Sequence, residues 1–383
     1  MQRDDHSITP SVSDSGVTTA PTLTAEEEIR ELRDEVQRLR SLLHENGEMK
    51  DRADWPQSIE YHQQPYAGAR LTGTIANMRV GLLNMSTKSA QGRPSNEYQI
   101  LRLKKELPNR SHIGAIATNL IKLDNEKYSN EVVALDAKWG IGEVSQIDGY
   151  TAISNTPNLD KEKAYAFRLQ ASSTGKMFSN ALSYTEIGED FNPEMGFLKR
   201  SGGYRKWSGR IFTRLRPDNN LGVLEIRPHV NYDGYWKLNG FHQTGKLHVD
   251  NHLEFRSGYE IHTGINFTKE VLIEDFDIFP SKSIVVPKST YDHMEAHLYY
   301  PSPPPSKISF SVMNYIGGFF GGDRISSSPR LKIRFGDKFN SEISYNYNNV
   351  NLPGGNFITY LSRSRLTYSF CLLYTSPSPR DRG

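Results

Sequence analysis

On an extended chain residues i and i+2 point the same way, so His248, Asp250 and His252 set two imidazoles and a carboxylate side by side. Those are donors that zinc and similar ions take, and a His-x-Asp-x-His run can converge on one metal ion. Glu254 and His262 stand close by in the sequence. The inner wall of a β-barrel carries the same residue types, paired with their neighbours, and on sequence alone that plainer account is preferred.

Other chemistry is weaker. Glycoside hydrolysis needs two carboxylates facing each other about 5–10 Å apart. Glu189, Asp190 and Glu194 cluster beside Phe191-Asn192-Pro193 on an expected loop, where solubility explains them equally well. Arg200, Arg205, Lys206, Arg210, Arg214 and Arg216 form a basic stretch interleaved with Tyr204, Trp207 and Phe212. It suits an anionic ligand, or more plainly a strand with charges in a lumen and aromatics at a membrane edge. From it, Arg205, Arg210 and Arg214 are expected to line the lumen, together with Arg363 and Arg365 on the last strand. No Gly-x-Ser-x-Gly elbow, phosphate loop or His-Glu-x-x-His motif occurs, and no cofactor is expected.

These residues sit on strands. From about residue 66 the pattern has period two, with about fifteen to seventeen segments near the ~10-residue length of a tilted transmembrane strand. Leu247, Val249, Leu253 and Phe255 oppose the His248 face, and Arg256-Ser257-Gly258 turns the chain into the next segment. Phe339, Ile343, Tyr345 and Tyr347 oppose Asn340, Glu342, Ser344 and Asn346 near the end. Connections are short apart from those around 188–203, 270–290 and 301–305. A soluble sandwich or propeller would present its apolar face inward. A tyrosine-rich face with few charges, backed by a charged one, fits a barrel in lipid better. The 20 tyrosines, 17 phenylalanines and 30 glycines agree, whereas 36% hydrophobic residues and a mean hydropathy of −0.60 are too polar for a helical membrane protein. With 46 basic and 44 acidic residues, net charge +2, nothing points to nucleic acid.

The ends differ. Residues 1–23 read as disordered and lack the apolar run of a secretory signal. Residues 24–46 read as an amphipathic or coiled-coil helix, with Thr24 capping and Ile29, Leu32, Val36, Leu39 and Leu43 in a 3-4-3-4 spacing. Residues 47–64 read as linker. The string from Cys371, the one cysteine, to Asp381 reads as the translation of a transposase sequencing adapter, foreign to the fold. Residues 1–64 have an equal claim to come from another gene.

Tyr66–Met85, Ser95–Asn119, Asp190–Gly203 and Asn351–Phe370 resemble the bacterial domain of unknown function 5916. Its more specific parts are the Phe-Asn-Pro-Glu-x-Gly-Phe stretch and the Leu-Pro-Gly-Gly-x-Phe stretch. The family often follows a carbohydrate-binding family 9-like module in exported proteins, some labelled membrane-associated hydrolases. No residue here matches that module, and the family pattern continues past Phe370. The resemblance implies an all-β, antiparallel outer-membrane-type barrel over 65–370, here incomplete and able to appear as an open curled sheet. It would act as a membrane anchor or channel, with outer-membrane lipid as its partner and glycans reached through the missing module. Two other readings stay open: a membrane-associated hydrolase acting on glycans, and a soluble interaction protein organised by the 24–46 coil.

Overall fold

In the computed structural model the described residues are 65–369, apart from 90–93, 124–127, 199, 201, 219–221, 304–305 and 337. The segments read as disordered tail, helix, linker and adapter-like tail (1–23, 24–46, 47–64 and 371–383) lie outside them. The strands are β1 (Pro65–Ile75), β2 (Met78–Thr87), β3 (Asn96–Leu107), β4 (Ser111–Lys122), β5 (Ser129–Ile141), β6 (Ser145–Asn155) and β7 (Tyr165–Thr174). They continue with β8 (Phe178–Ile187), β9 (Tyr204–Thr213), β10 (Val223–Trp236), β11 (His242–Phe255), β12 (Glu260–Val271), β13 (Phe276–Phe279) and β14 (Ile284–Val286). Last come β15 (Thr290–Pro301), β16 (Ile308–Phe319), β17 (Gly322–Phe335), β18 (Phe339–Leu352) and β19 (Gly355–Tyr368).

Each strand pairs antiparallel with the next, so the chain forms an up-and-down meander of 17 strands, and β13–β14 stand apart as a hairpin between β12 and β15. No register joins β1 to β19 among the described residues, so the sheet is open there. With an odd number of strands the two edges run in the same direction and cannot pair antiparallel with each other.

The sheet is inverted relative to a soluble one. Its outer face exposes Leu135 (57%), Trp139 (64%), Ile211 (62%), Ile316 (58%) and Tyr360 (74%). Its inner face buries His229, Asp233, His248, Asp250, Asn266 and Glu295. The cause is local: alternation sends every second residue to the opposite side, and here the polar set turns toward the concave side.

The two ends also differ. At one end the connections are mostly tight, as at 76–77, 108–110, 142–144 and 175–177, and Ala76 and Asn77 both take the positive φ of a type I′ turn. The opposite end carries the long segments 188–203 and 272–289. Both fold back onto the inner wall. Phe191 packs with Val132, Ala152, Ala166 and Ile187. Fully buried Asn130 holds that loop, donating from Nδ2 to Thr156 Oγ1 and to Asn192 O, each at 2.7 Å, while its Oδ1 accepts from Glu194 N at 3.2 Å. In the other segment Ile278, Ile284 and Val286 of the hairpin pack with Phe319, Val350, Leu352 and Phe357, and Phe279 stacks on Phe357 at 4.7 Å.

Candidate metal centre on the inner face

Asp250 lies at mid-strand in β11, flanked on the same face by His248 and His252. Register then adds neighbours from both sides. His229 of β10 is the direct cross-strand partner of Asp250. On the other side Asp250 faces Gly264 of β12, and Gly264 faces His297 of β15. Because Gly264 has no side chain, His297 reaches across it. Asp250 Oδ2 therefore has four imidazole Nε2 atoms around it: His252 at 2.9 Å, His297 at 3.2 Å, His248 at 3.6 Å and His229 at 3.9 Å. All five residues are buried, none more than 9% exposed.

The ring orientations are fixed from behind. His229 Nδ1 donates to the backbone oxygen of Arg227 at 3.2 Å, and His248 Nδ1 donates to Asn266 Oδ1 at 2.7 Å. Each ring thereby turns its Nε2 toward the carboxylate. Asp250 Oδ1 accepts the backbone N–H of Asn251 at 2.6 Å. The rings also pack: His248 stacks on His297 at 5.2 Å, and His252 on His262 at 3.5 Å. Phe212, 1% exposed, closes the β9 side against His229. Beside the cluster, Arg227 gathers Glu260 at 2.8 Å, Glu254 at 3.4 Å and Glu225 at 3.8 Å, and Glu260 accepts from His262 at 2.8 Å. That network occupies Arg227 with its own carboxylates.

The residues able to hold an ion are thus His229, His248 and Asp250, whose donor atoms all lie within 4.8 Å of one another, with His252 and His297 beside them. The sequence pattern finds the β11 members. It misses His229, His297, Gly264 and Asn266, which join through register and carry no local motif.

The other residues singled out from sequence lie elsewhere. Glu189 pairs with Lys163 at 3.6 Å at the surface. Asp190 accepts the backbone N–H of Asp160 at 3.2 Å. Glu194 accepts from Tyr128 and from Asn192, and lies 3.8 Å from Lys122. Each carboxylate turns to a different partner, and each helps tie the 188–203 loop down. Arg210 is on the inner face, over the Phe212 ring at 4.8 Å, and Arg214 lies over the same ring at 4.9 Å and beside Glu225 at 3.8 Å. Arg205 departs from the lumen expectation. It shares the outer face with Trp207, donates to Glu186 at 3.1 Å, and belongs to a rim cluster with Tyr165 and Tyr184. The reason is parity: Lys206, Ser208 and Arg210 register with inner residues of β10, so Arg205 must face out. Arg363 and Arg365 register with Ser344 and Glu342 on the inner face, near the tight-turn end of the β19 edge, and remain exposed.

The model of the family described as "Domain of unknown function (DUF5916)" matches residues 72–365. No curated protein matches the sequence. Among solved structures, one titled "Crystal Structure of Pseudomonas Aeruginosa OpdL" is similar at 12% identity and a TM-score of 0.32, over 78% of this chain and 92% of that one. A similarity at that TM-score transfers nothing to this chain.

Proposed function

Because the chain belongs to the family described as domain of unknown function DUF5916, a membership that assigns no activity, we propose a function from geometry: a β-domain embedded in the outer membrane and serving as an anchor. The observation that carries this reading is the inverted polarity of the sheet. A face of Leu, Ile, Val, Trp and Tyr points outward along seventeen strands, while histidines, carboxylates and arginines are buried inside. In water that exposed face would be an aggregation surface far beyond what a soluble protein tolerates. In a bilayer it is the apolar band, and the Tyr165–Tyr184–Trp207 cluster with Arg205–Glu186 is the kind of group that sits at the lipid–water boundary. Tight turns at one end and long segments at the other match the periplasmic and extracellular sides. An anchor is favoured over an open channel because both long segments pack against the inner wall. In lipid the β1 and β19 edges each require a hydrogen-bonding partner strand.

The test is to refold the chain into mild detergent and compare heated with unheated samples by gel electrophoresis. A membrane β-domain migrates anomalously when unheated and precipitates when detergent is withdrawn. A chain that is monomeric and folded in plain buffer would sink the proposal.

A further inference from the structure

We propose that the inner face of this domain binds one first-row transition-metal ion of the zinc class through His229, His248 and Asp250, with either His252 or His297 completing a four-coordinate site. Donors about 2.0–2.1 Å from zinc in a tetrahedron stand about 3.3 Å from one another. The separations of 2.9, 3.2, 3.6 and 3.9 Å from Asp250 Oδ2 to the four imidazole nitrogens straddle that edge. Asp250 is thus at ligand spacing from each imidazole, and the donor atoms of His229, His248 and Asp250, all within 4.8 Å of one another, need to draw in by rotation about side-chain bonds.

Three further features distinguish a metal site from a polar wall. Each of two ligand histidines gives its far ring nitrogen to an oxygen, Arg227 O or Asn266 Oδ1, the arrangement that fixes the ligating tautomer in metal sites. Among the described residues Asp250 makes its charge contacts with four histidines, whereas another His–Asp contact on the inner face, His112–Asp136, has Arg102 seated on its carboxylate. An arginine there excludes a cation. The donor set of imidazoles plus a single carboxylate suits zinc, nickel, copper or cobalt and not magnesium or calcium, which take oxygen. Burial on all sides makes the ion a clasp joining β10 and β11, and β15 where His297 completes it, rather than a reactive centre.

The inference does not depend on the membrane reading, since the donor geometry is the same whichever solvent surrounds the outer face. The full chain, produced without a polyhistidine tag, is stripped with chelator and titrated with Zn²⁺, and bound metal is counted by elemental analysis after dialysis. Detergent is included or omitted according to how the chain behaves. One ion per chain is expected, with a raised unfolding midpoint, and Co²⁺ in its place should show the intense visible bands of a low-coordinate site. The pair His229→Gln with His248→Gln should weaken Zn²⁺ binding by about a hundredfold or more. His262→Gln, which alters a stacked neighbour and leaves the five donors, should keep the ion. Circular dichroism confirms that each variant retains its strands. A folded wild-type chain that retains no zinc, or a folded double variant that binds as the wild type does, overturns the proposal.

Discussion

Gly264→Ala adds a single methyl group beside the cluster without touching a donor atom. A Cβ at this position overlaps His297 Cε1 and stands 2.7 Å from Val249 O and 3.0 Å from Asp250 Cβ. His297 can swing aside; the Val249 carbonyl cannot, because it belongs to the β11–β12 ladder. Overpacking of this kind costs about 1–3 kcal/mol, and alanine recovers about 0.5–1 kcal/mol over glycine within a strand. The net loss is about 0–2.5 kcal/mol, centred near about 1 kcal/mol. Displacing His297 also removes one of the imidazoles around Asp250, so zinc affinity should fall alongside stability. The assay is denaturant unfolding followed by circular dichroism, run with excess zinc and with chelator. The loss should be larger in zinc, because a weakened ion stabilises the fold less. Gly73→Ala on β1 is the control: nothing lies within 4 Å of its Cβ, so it should be neutral or slightly stabilising. Equal midpoints for Gly264→Ala and the wild type, with unchanged zinc affinity, would refute the reasoning that places His297 over a glycine window.

Asn266→Ala removes the acceptor behind His248 Nδ1 and should weaken Zn²⁺ binding about ten- to a hundredfold while leaving the ligands in place; an unchanged titration would show that the ring needs no such support. Leu135→Arg, at the centre of β5 on the exposed face, should cost about 2–4 kcal/mol when the protein is folded in lipid vesicles. A cost near zero there would contradict the placement of that face in lipid. Asn130→Ala removes two hydrogen bonds that hold the 188–203 loop and a third to Thr156, a loss of about 3 kcal/mol at about 1 kcal/mol each. Limited proteolysis should then cut within that loop first, and an uncut loop would show that Phe191 packing alone keeps it down.

Period two was enough to read the strands, their faces and the long connections. Phe339, Ile343, Tyr345 and Tyr347 do oppose Glu342, Ser344 and Asn346 across one sheet. The Phe-Asn-Pro-Glu and Leu-Pro-Gly-Gly stretches, visible as motifs, prove to be the two places where long segments dock at the same end. Phe191 enters the wall of β5–β7, and Leu352 and Phe357 receive the β13–β14 hairpin. Alternation cannot say which residue faces which across strands, because that is set by hydrogen-bond register. Hence His248, Asp250 and His252 were legible as a trio, whereas His229 and His297 were not. The same ignorance of parity put Arg205 among the inward arginines: a basic run in sequence splits between two faces once it becomes a strand.

Glycine placement turns that register into long-range contact on the inner wall. Asp250 meets His297 over Gly264, Glu295 meets Arg324 at 2.5 Å over Gly317, and Arg102 meets Asp136 over Gly114. In each case charged or imidazole groups on two strands bridge a third across a glycine, directly opposite in the first two and diagonally for Arg102, which itself faces Ile116. Neighbouring strands lie about 4.8 Å apart, so such a pair spans about 10 Å of sheet, a distance that any Cβ at the middle strand would obstruct. A wall knitted in this way resists widening, since separating two strands breaks a buried charge contact as well as ladder hydrogen bonds. A conducting pore needs those same groups turned toward water, and here they are turned toward each other. The proposed ion takes, at Asp250, the place that Arg324 and Arg102 hold at the other two crossings.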